Sequence, residues 1–216
     1  MFINDYRYDD WKNILDNNNI ITDSSHYTNI KCTTTSICSS PSDVTPLFNN
    51  NITFSNDDAF LDIGCGIGLI TLFVNKKYNN CHCIGIDINQ NVLNIAIKNA
   101  KILNAKNVYF FNENATTFEI PLNVTCIFIF NPLNDDQVAL SMLFDRIHES
   151  FNKLCRIITI IYVNPLVNAF TMMSYHCYIV DSGFTNINNM PYLIGIFNSF
   201  FMNYLSNKIA YKKIHQ

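Results

Sequence analysis

The sequence predicts an α/β fold: a mostly parallel, doubly wound sheet of seven strands with helices on both faces, closed by a C-terminal antiparallel hairpin. Three observations carry this. From residue 59 onward, short apolar runs of strand length alternate with longer segments of helical periodicity, the pattern of a parallel sheet with right-handed crossovers. A glycine-rich loop stands where the first strand turns into the first of those helices. The fourth run, Val124–Phe130, is almost wholly apolar, as a strand covered on both faces must be.

The first 58 residues are polar and acidic, with Asp5, Asp9, Asp10, Asp16, Asp23, Asp43, Asp57 and Asp58. Trp11, Ile14 and Leu15 suggest one short amphipathic helix. Ser39-Ser40-Pro41-Ser42-Asp43 reads as a turn and helix start, with Ser42 as cap and Val44 and Leu47 turned to a core. Residues 1–58 therefore read as an N-terminal helical cover, and 59–216 as one domain. Within that domain the expected elements are a strand at 59–63, a helix at 69–77, a strand at 83–88 and a helix at 91–103 on which Val92, Ala96, Ala100 and Leu103 recur at helical spacing. Strands follow at 107–111 and 124–130, then a helix at 135–154 with Leu140, Phe144, Ile147, Phe151 and Leu154 as its buried stripe. A fifth strand at 156–163, a helix at 166–180, a turn from Gly183-Phe184, and closing strands at 185–190 and 193–204 complete the chain.

Composition bounds the function. With 49% apolar and 14% charged residues, the chain has ample surface to bury and is not of disordered type. A formal net charge of -3 gives no basic field for an extended nucleic-acid surface. The acidic N-terminus and the short apolar runs lead us to expect neither a secretion signal nor a membrane span, hence a cytoplasmic protein. Most of the eight cysteines fall in apolar runs, where a free thiol behaves as a small hydrophobe. Cys81-His82-Cys83 lacks a second ligand pair at zinc-finger spacing and reads as structural, so no metal is expected.

The chemistry concentrates at Asp62-Ile63-Gly64-Cys65-Gly66-Ile67-Gly68. Glycines at a strand-to-helix turn tolerate positive φ and let backbone N–H groups approach a ligand. Asp87 ends the second strand, 19 residues after Gly68, where a carboxylate can accept both hydroxyls of a ribose. A dinucleotide fold uses the same two devices, but its fingerprint is Gly-x-Gly-x-x-Gly. Here the third glycine comes one residue early and Leu69 holds the expected place. Asp62 is a further difference, since an acid there can reach the amino-acid end of a ligand.

Phe60 to Gly68 resembles the first motif of class I, Rossmann-like methyltransferases, and Gly85-Ile86-Asp87-Ile88 resembles their second-strand motif. The resemblance spans roughly residues 59–205 and implies S-adenosylmethionine as cofactor. On that pattern Asp62, Gly64, Cys65, Gly66 and Gly68 hold the methionine part, Asp87 binds ribose and Ile88 flanks adenine. Asn114-Ala115 fall where the family usually has an acid that contacts the adenine amino group, with Glu113 the alternative if the register shifts by one. Asn131-Pro132 ends the fourth strand, where the family orients the methyl acceptor. It keeps half of the Asn-Pro-Pro-aromatic motif of amino-group methyltransferases, and Leu133 departs from it. Phe130-Asn131-Pro132-Leu133, Ile161-Tyr162-Val163-Asn164-Pro165 and the earlier Pro41-Ser42 are also similar to motifs of a set of small bacterial methyltransferases. The expected function is methyl transfer to an unidentified small molecule or protein amino group; the alternative is a silent binding or partner protein on the same fold.

Overall fold

A computed structural model of the chain describes residues 14–15, 17–22, 41–49, 52–79, 81–130, 133, 136–152, 157–165, 168–185 and 189–198. Its elements in order are α1 (Pro41–Asn49), β1 (Ala59–Ile63), α2 (Leu69–Lys77), β2 (His82–Asp87), α3 (Gln90–Ile102), β3 (Val108–Asn112), β4 (Val124–Phe130), α4 (Gln137–Phe151), β5 (Ile157–Val163), α5 (Ala169–His176), β6 (Tyr178–Phe184) and β7 (Pro191–Asn198). The seven strands form one sheet in the order β3-β2-β1-β4-β5-β7-β6. The first five are parallel to one another, and β7 runs antiparallel to both β5 and β6. The chain winds outward from β1 to β3 and returns to β4 beside β1, so the order reverses at the β1–β4 boundary, where such sheets bind ligands.

Each face of the sheet buries its own core. On one, Phe60, Cys126, Phe128 and Ile161 pack beneath α1, α2 and α3. On the other, Leu61, Ile63, Ile127 and Ile129 pack beneath α4 and α5. Phe48 of α1 meets the rings of Phe60, Phe73 and Phe128 at centroid distances of 5.9, 6.0 and 5.8 Å. Val44 and Leu47 are buried with it, as their spacing predicts. The helix begins at Pro41, a residue favoured in a first turn, which places Ser42 inside that turn rather than at its cap. Ile14 and Leu15 are helical; Trp11 lies outside the described residues.

Two further sequence expectations are corrected. The helix predicted over 166–180 is shorter, since α5 ends at His176 and Cys177 is already extended (φ -142°, ψ 163°). The β-favouring run Tyr178-Ile179-Val180 then opens β6, so the hairpin's first strand lies at 178–184 with Gly183 within it, and the described residues Thr185, Asn189 and Met190 lie outside any strand. Second, the periodicity of the helix at 135–154 puts His148 on its polar face, where solvent would cover it, whereas in the structure it packs edge-on against the rings of His176 (5.7 Å) and Phe197 (5.5 Å) between α4, α5 and β7.

Candidate cofactor site

The loop after β1 is built by glycine conformations. Gly64, Gly66 and Gly68 all lie in the left-handed region, at φ 74°, 54° and 81°, which costs a residue with a Cβ but not glycine. Backbone bonds fix the turn: Gly64 and Cys65 both donate N–H to the Ile86 carbonyl of β2 (2.9 and 3.0 Å), and Gly68 donates to Cys65 (2.9 Å). Gly66 and Gly68 differ in role. A Cβ on Gly68 would sit 2.8 Å from the Phe110 ring and 2.9 Å from Ala96, so this glycine allows α2, α3 and β3 to close together. A Cβ on Gly66 would meet nothing within 4 Å, so Gly66 faces open space at the crevice.

Asp62 stands one residue before the end of β1 and is 3% exposed. Gly68 caps α2 without a side chain, leaving first-turn donors of that helix without a local acceptor. Asp62 serves as the cap from the neighbouring strand, accepting the Thr71 hydroxyl at 2.6 Å and also its N–H. Burial pushes the Asp62 carboxyl up to about 7; the Thr71 bonds oppose this and the Asp87 charge adds to it. The sequence places Asp62 near the amino-acid end of a ligand; in the structure its Oδ2 is engaged by the helix that the loop enters.

Asp87, half-buried at the end of β2, closes the loop from the other side. Its Oδ2 accepts the Gly66 N–H (3.0 Å) and its Oδ1 the Asn89 N–H (2.8 Å). Burial raises its pKa, with N–H donors from Asn89, Gly66 and Ile88 working against the rise. Ile88, next to it, is 69% exposed, an apolar side chain standing free of any core. The start of the β3–β4 connection is tied to the same strand end: Asn112 Nδ2 and the Glu113 N–H both donate to the Asp87 carbonyl (3.0 and 3.2 Å). Asn114 is exposed and turns its Oδ1 to the Thr116 N–H and hydroxyl (3.0 and 2.9 Å), closing a turn in which Ala115 is half-buried.

The structure thus brings together Asp62, Gly64, Cys65, Gly66, Gly68, Asp87 and Ile88 at the carboxyl ends of β1 and β2, with Glu113 and Asn114 beside them. Asn131 and Pro132 lie outside the described residues. Leu133 packs against the second core, and Tyr162 is wholly buried against Phe144, so the tyrosine of the motif after β5 is a core residue. Asn164, at φ 50°, donates its N–H to the Pro191 carbonyl at 2.8 Å.

Sequence reasoning missed Asn99. Buried in α3, it donates to the carbonyls of Ile67 in the loop (3.2 Å) and Ile21 in the N-terminal segment (3.0 Å), and its Oδ1 accepts the Ile21 N–H (3.1 Å). A signal was present: Asn99 continues the buried stripe of Val92, Ile95 and Ala96, where a polar residue needs partners. Phe110, which fills the space over Gly68 and Gly85, had no such signal.

A sequence profile of a methyltransferase domain matches residues 54–191, well over half of the chain. The chain is similar to the release factor glutamine methyltransferase of Buchnera aphidicola, 47% identical over 57 residues, which covers 26% of this chain and 21% of that protein. Such matches reach between 16% and 23% of the length of the curated relatives. In fold it is similar to a precorrin-6y C5,15-methyltransferase from Geobacter metallireducens (TM-score 0.56, 15% identity, covering 80% of this chain and 95% of that one). It is also similar to an RNA methyltransferase from Salinibacter ruber in complex with S-adenosyl-L-homocysteine (TM-score 0.51, 16% identity, 67% and 83%). With the profile spanning the loop, Asp87 and the strands that carry them, the chain belongs to the methyltransferase-domain family.

Proposed function

We propose that this protein binds S-adenosylmethionine at the loop from Asp62 to Gly68 and transfers its methyl group to a nitrogen of a small molecule or protein. The observation that carries this is the placement of three left-handed glycines between two carboxylates at the point where the strand order reverses. The donor set fits the ligand. Open space at Gly66 admits an amino-acid moiety against the backbone, and the lip carboxylate of Asp87 is an acceptor for ribose hydroxyls. The exposed Ile88 offers an apolar flank for a ring. The Asp87 carboxylate at the margin of the loop attracts the ammonium and sulfonium of S-adenosylmethionine. The nitrogen acceptor is favoured by curated relatives that are N-methyltransferases and a glutamine methyltransferase.

When bound, the cofactor supplies an electrophilic methyl group on sulfur. The chain's part is alignment and exclusion of water: the loop and Asp87 fix the donor, and Asn131-Pro132 after β4 orients the acceptor nitrogen. Asn114 holds its turn through Thr116, so we assign it to shaping the adenine end of the site, with Glu113 as the nearby carboxylate. We further take residues 1–58 as a cover for the domain at 59–216, and the cytoplasm as its compartment. No described helix is long and apolar enough to cross a membrane.

Isothermal titration of the purified chain with S-adenosylmethionine and, separately, with NAD tests the reading. Saturable binding of the first alone is expected, followed by transfer of labelled methyl to an acceptor in a cell extract. Binding of NAD without S-adenosylmethionine would overturn it; tight S-adenosylmethionine binding with no transfer to any acceptor would favour the silent partner protein.

A further inference from the structure

Cys81-His82-Cys83 sits at the start of β2, at the opposite end of the strand from Asp87. In an extended chain, residues two apart project to the same side. The two thiols do so here, with Sγ atoms 3.4 Å apart in an S–H···S contact. Both are free thiols. Their surroundings differ: Cys83 is wholly buried, whereas Cys81 is half-buried at the strand's mouth. Burial and the neighbouring Cys81 push the Cys83 thiol well above its ordinary range. The backbone around the pair is held by α2, since Asn75 Nδ2 donates to the Cys81 carbonyl at 2.8 Å and, from the same amide, to the Lys106 carbonyl at 2.8 Å. A pre-aligned pair with one accessible member is the arrangement in which a first oxidised sulfur is captured by a resolving thiol before it proceeds further.

We propose that Cys81 and Cys83 form an oxidation site that closes to an intrastrand disulfide under peroxide. The oxidant is a hydroperoxide. The Cys81 sulfur attacks its terminal oxygen, giving a sulfenic acid and one molecule of water or alcohol. The Cys83 sulfur then attacks the sulfenic sulfur and expels the oxygen as water, the two thiol protons ending in the departing oxygen groups. Two sulfurs are oxidised and the peroxide O–O bond is reduced. A ring closed across one intervening residue removes little entropy from the unfolded chain, and with Cys81 near the surface the bond belongs to the labile, thiol-reversible class. Cys126 also lies close enough to Cys81 for their charges to interact, but no S···S contact joins them, so Cys83 is the resolving thiol.

The full chain, reduced and freed of reductant, is titrated with hydrogen peroxide, alkylated and mapped by peptide mass spectrometry. The expected result is a peptide carrying both cysteines that is lighter by two hydrogens and refractory to alkylation, restored by dithiothreitol. Cys83→Ser should divert Cys81 to sulfinic acid at the same peroxide dose. Two alkylated thiols at full oxidation of other cysteines, a Cys81–Cys126 bond, or irreversible oxidation of Cys81 in the unsubstituted chain would each overturn the proposal.

Discussion

The two halves of the crevice differ in what they are made of. On the β1–β2 side, the site is backbone: three glycine conformations, N–H donors fixed by β2, and one carboxylate at each margin. On the β4–β5 side, the residues at the strand ends are side chains with other attachments: Leu133 and Tyr162 belong to the second core, and Asn164 is bonded to the start of β7. On our proposal the first half holds the cofactor, and its backbone takes left-handed conformations that cost glycine nothing. On the same proposal the second half faces the acceptor, and its motifs here are partial.

That contrast can be broken first at Asp62. Its carboxyl, pushed up to about 7 from 3.8, stays protonated in the folded chain while the unfolded chain ionises. A raised carboxyl leaves stability intact below pH 3.8, removes it progressively between there and about 7, and leaves a constant deficit above. The full deficit is about 4 kcal/mol at 1.36 kcal/mol per unit. Asp62→Asn keeps an acceptor for Thr71 without the charge. Thermal melts should show the variant gaining on the parent as pH rises from 4 to 7.5; a gap independent of pH would refute the burial argument.

Next come the glycines, which sharpen the division of labour inside the loop. Gly68→Ala adds a Cβ at positive φ and drives it into Phe110 and Ala96, so denaturant unfolding should show a loss of about 3 kcal/mol. Gly66→Ala meets open space and should cost about 1 kcal/mol in stability, while placing a methyl in the crevice and weakening S-adenosylmethionine binding. Equal stability losses at the two positions would mean that Gly66 is packed rather than facing a ligand.

Much of this was legible in the chain. The strands at 59–63 and 124–130 and the helix at 69–77 fall where periodicity puts them, because each is a continuous apolar run or a stripe bounded by turns. The loop was legible because glycine takes its left-handed conformations without cost. The closing hairpin was not placed correctly. Tyr178, Val180 and Phe184 on edge strand β6 are exposed, so no alternation marks the strand, and Leu166–Val180 reads equally well as a helix. Asp62's bond to Thr71 was also hidden, because it joins a strand to the helix after the loop through a turn whose course sequence alone does not give. The His148–His176 contact was invisible for a similar reason: it depends on how α4 and α5 cross.

The central claim is that Asp87 and the glycine loop form one cofactor cradle. Isothermal titration of S-adenosylmethionine into the parent chain and into Asp87→Ala tests it most directly. Loss of a ribose acceptor should weaken binding by about 1–3 kcal/mol. Unchanged affinity in Asp87→Ala would contradict the placement of the cofactor at this loop.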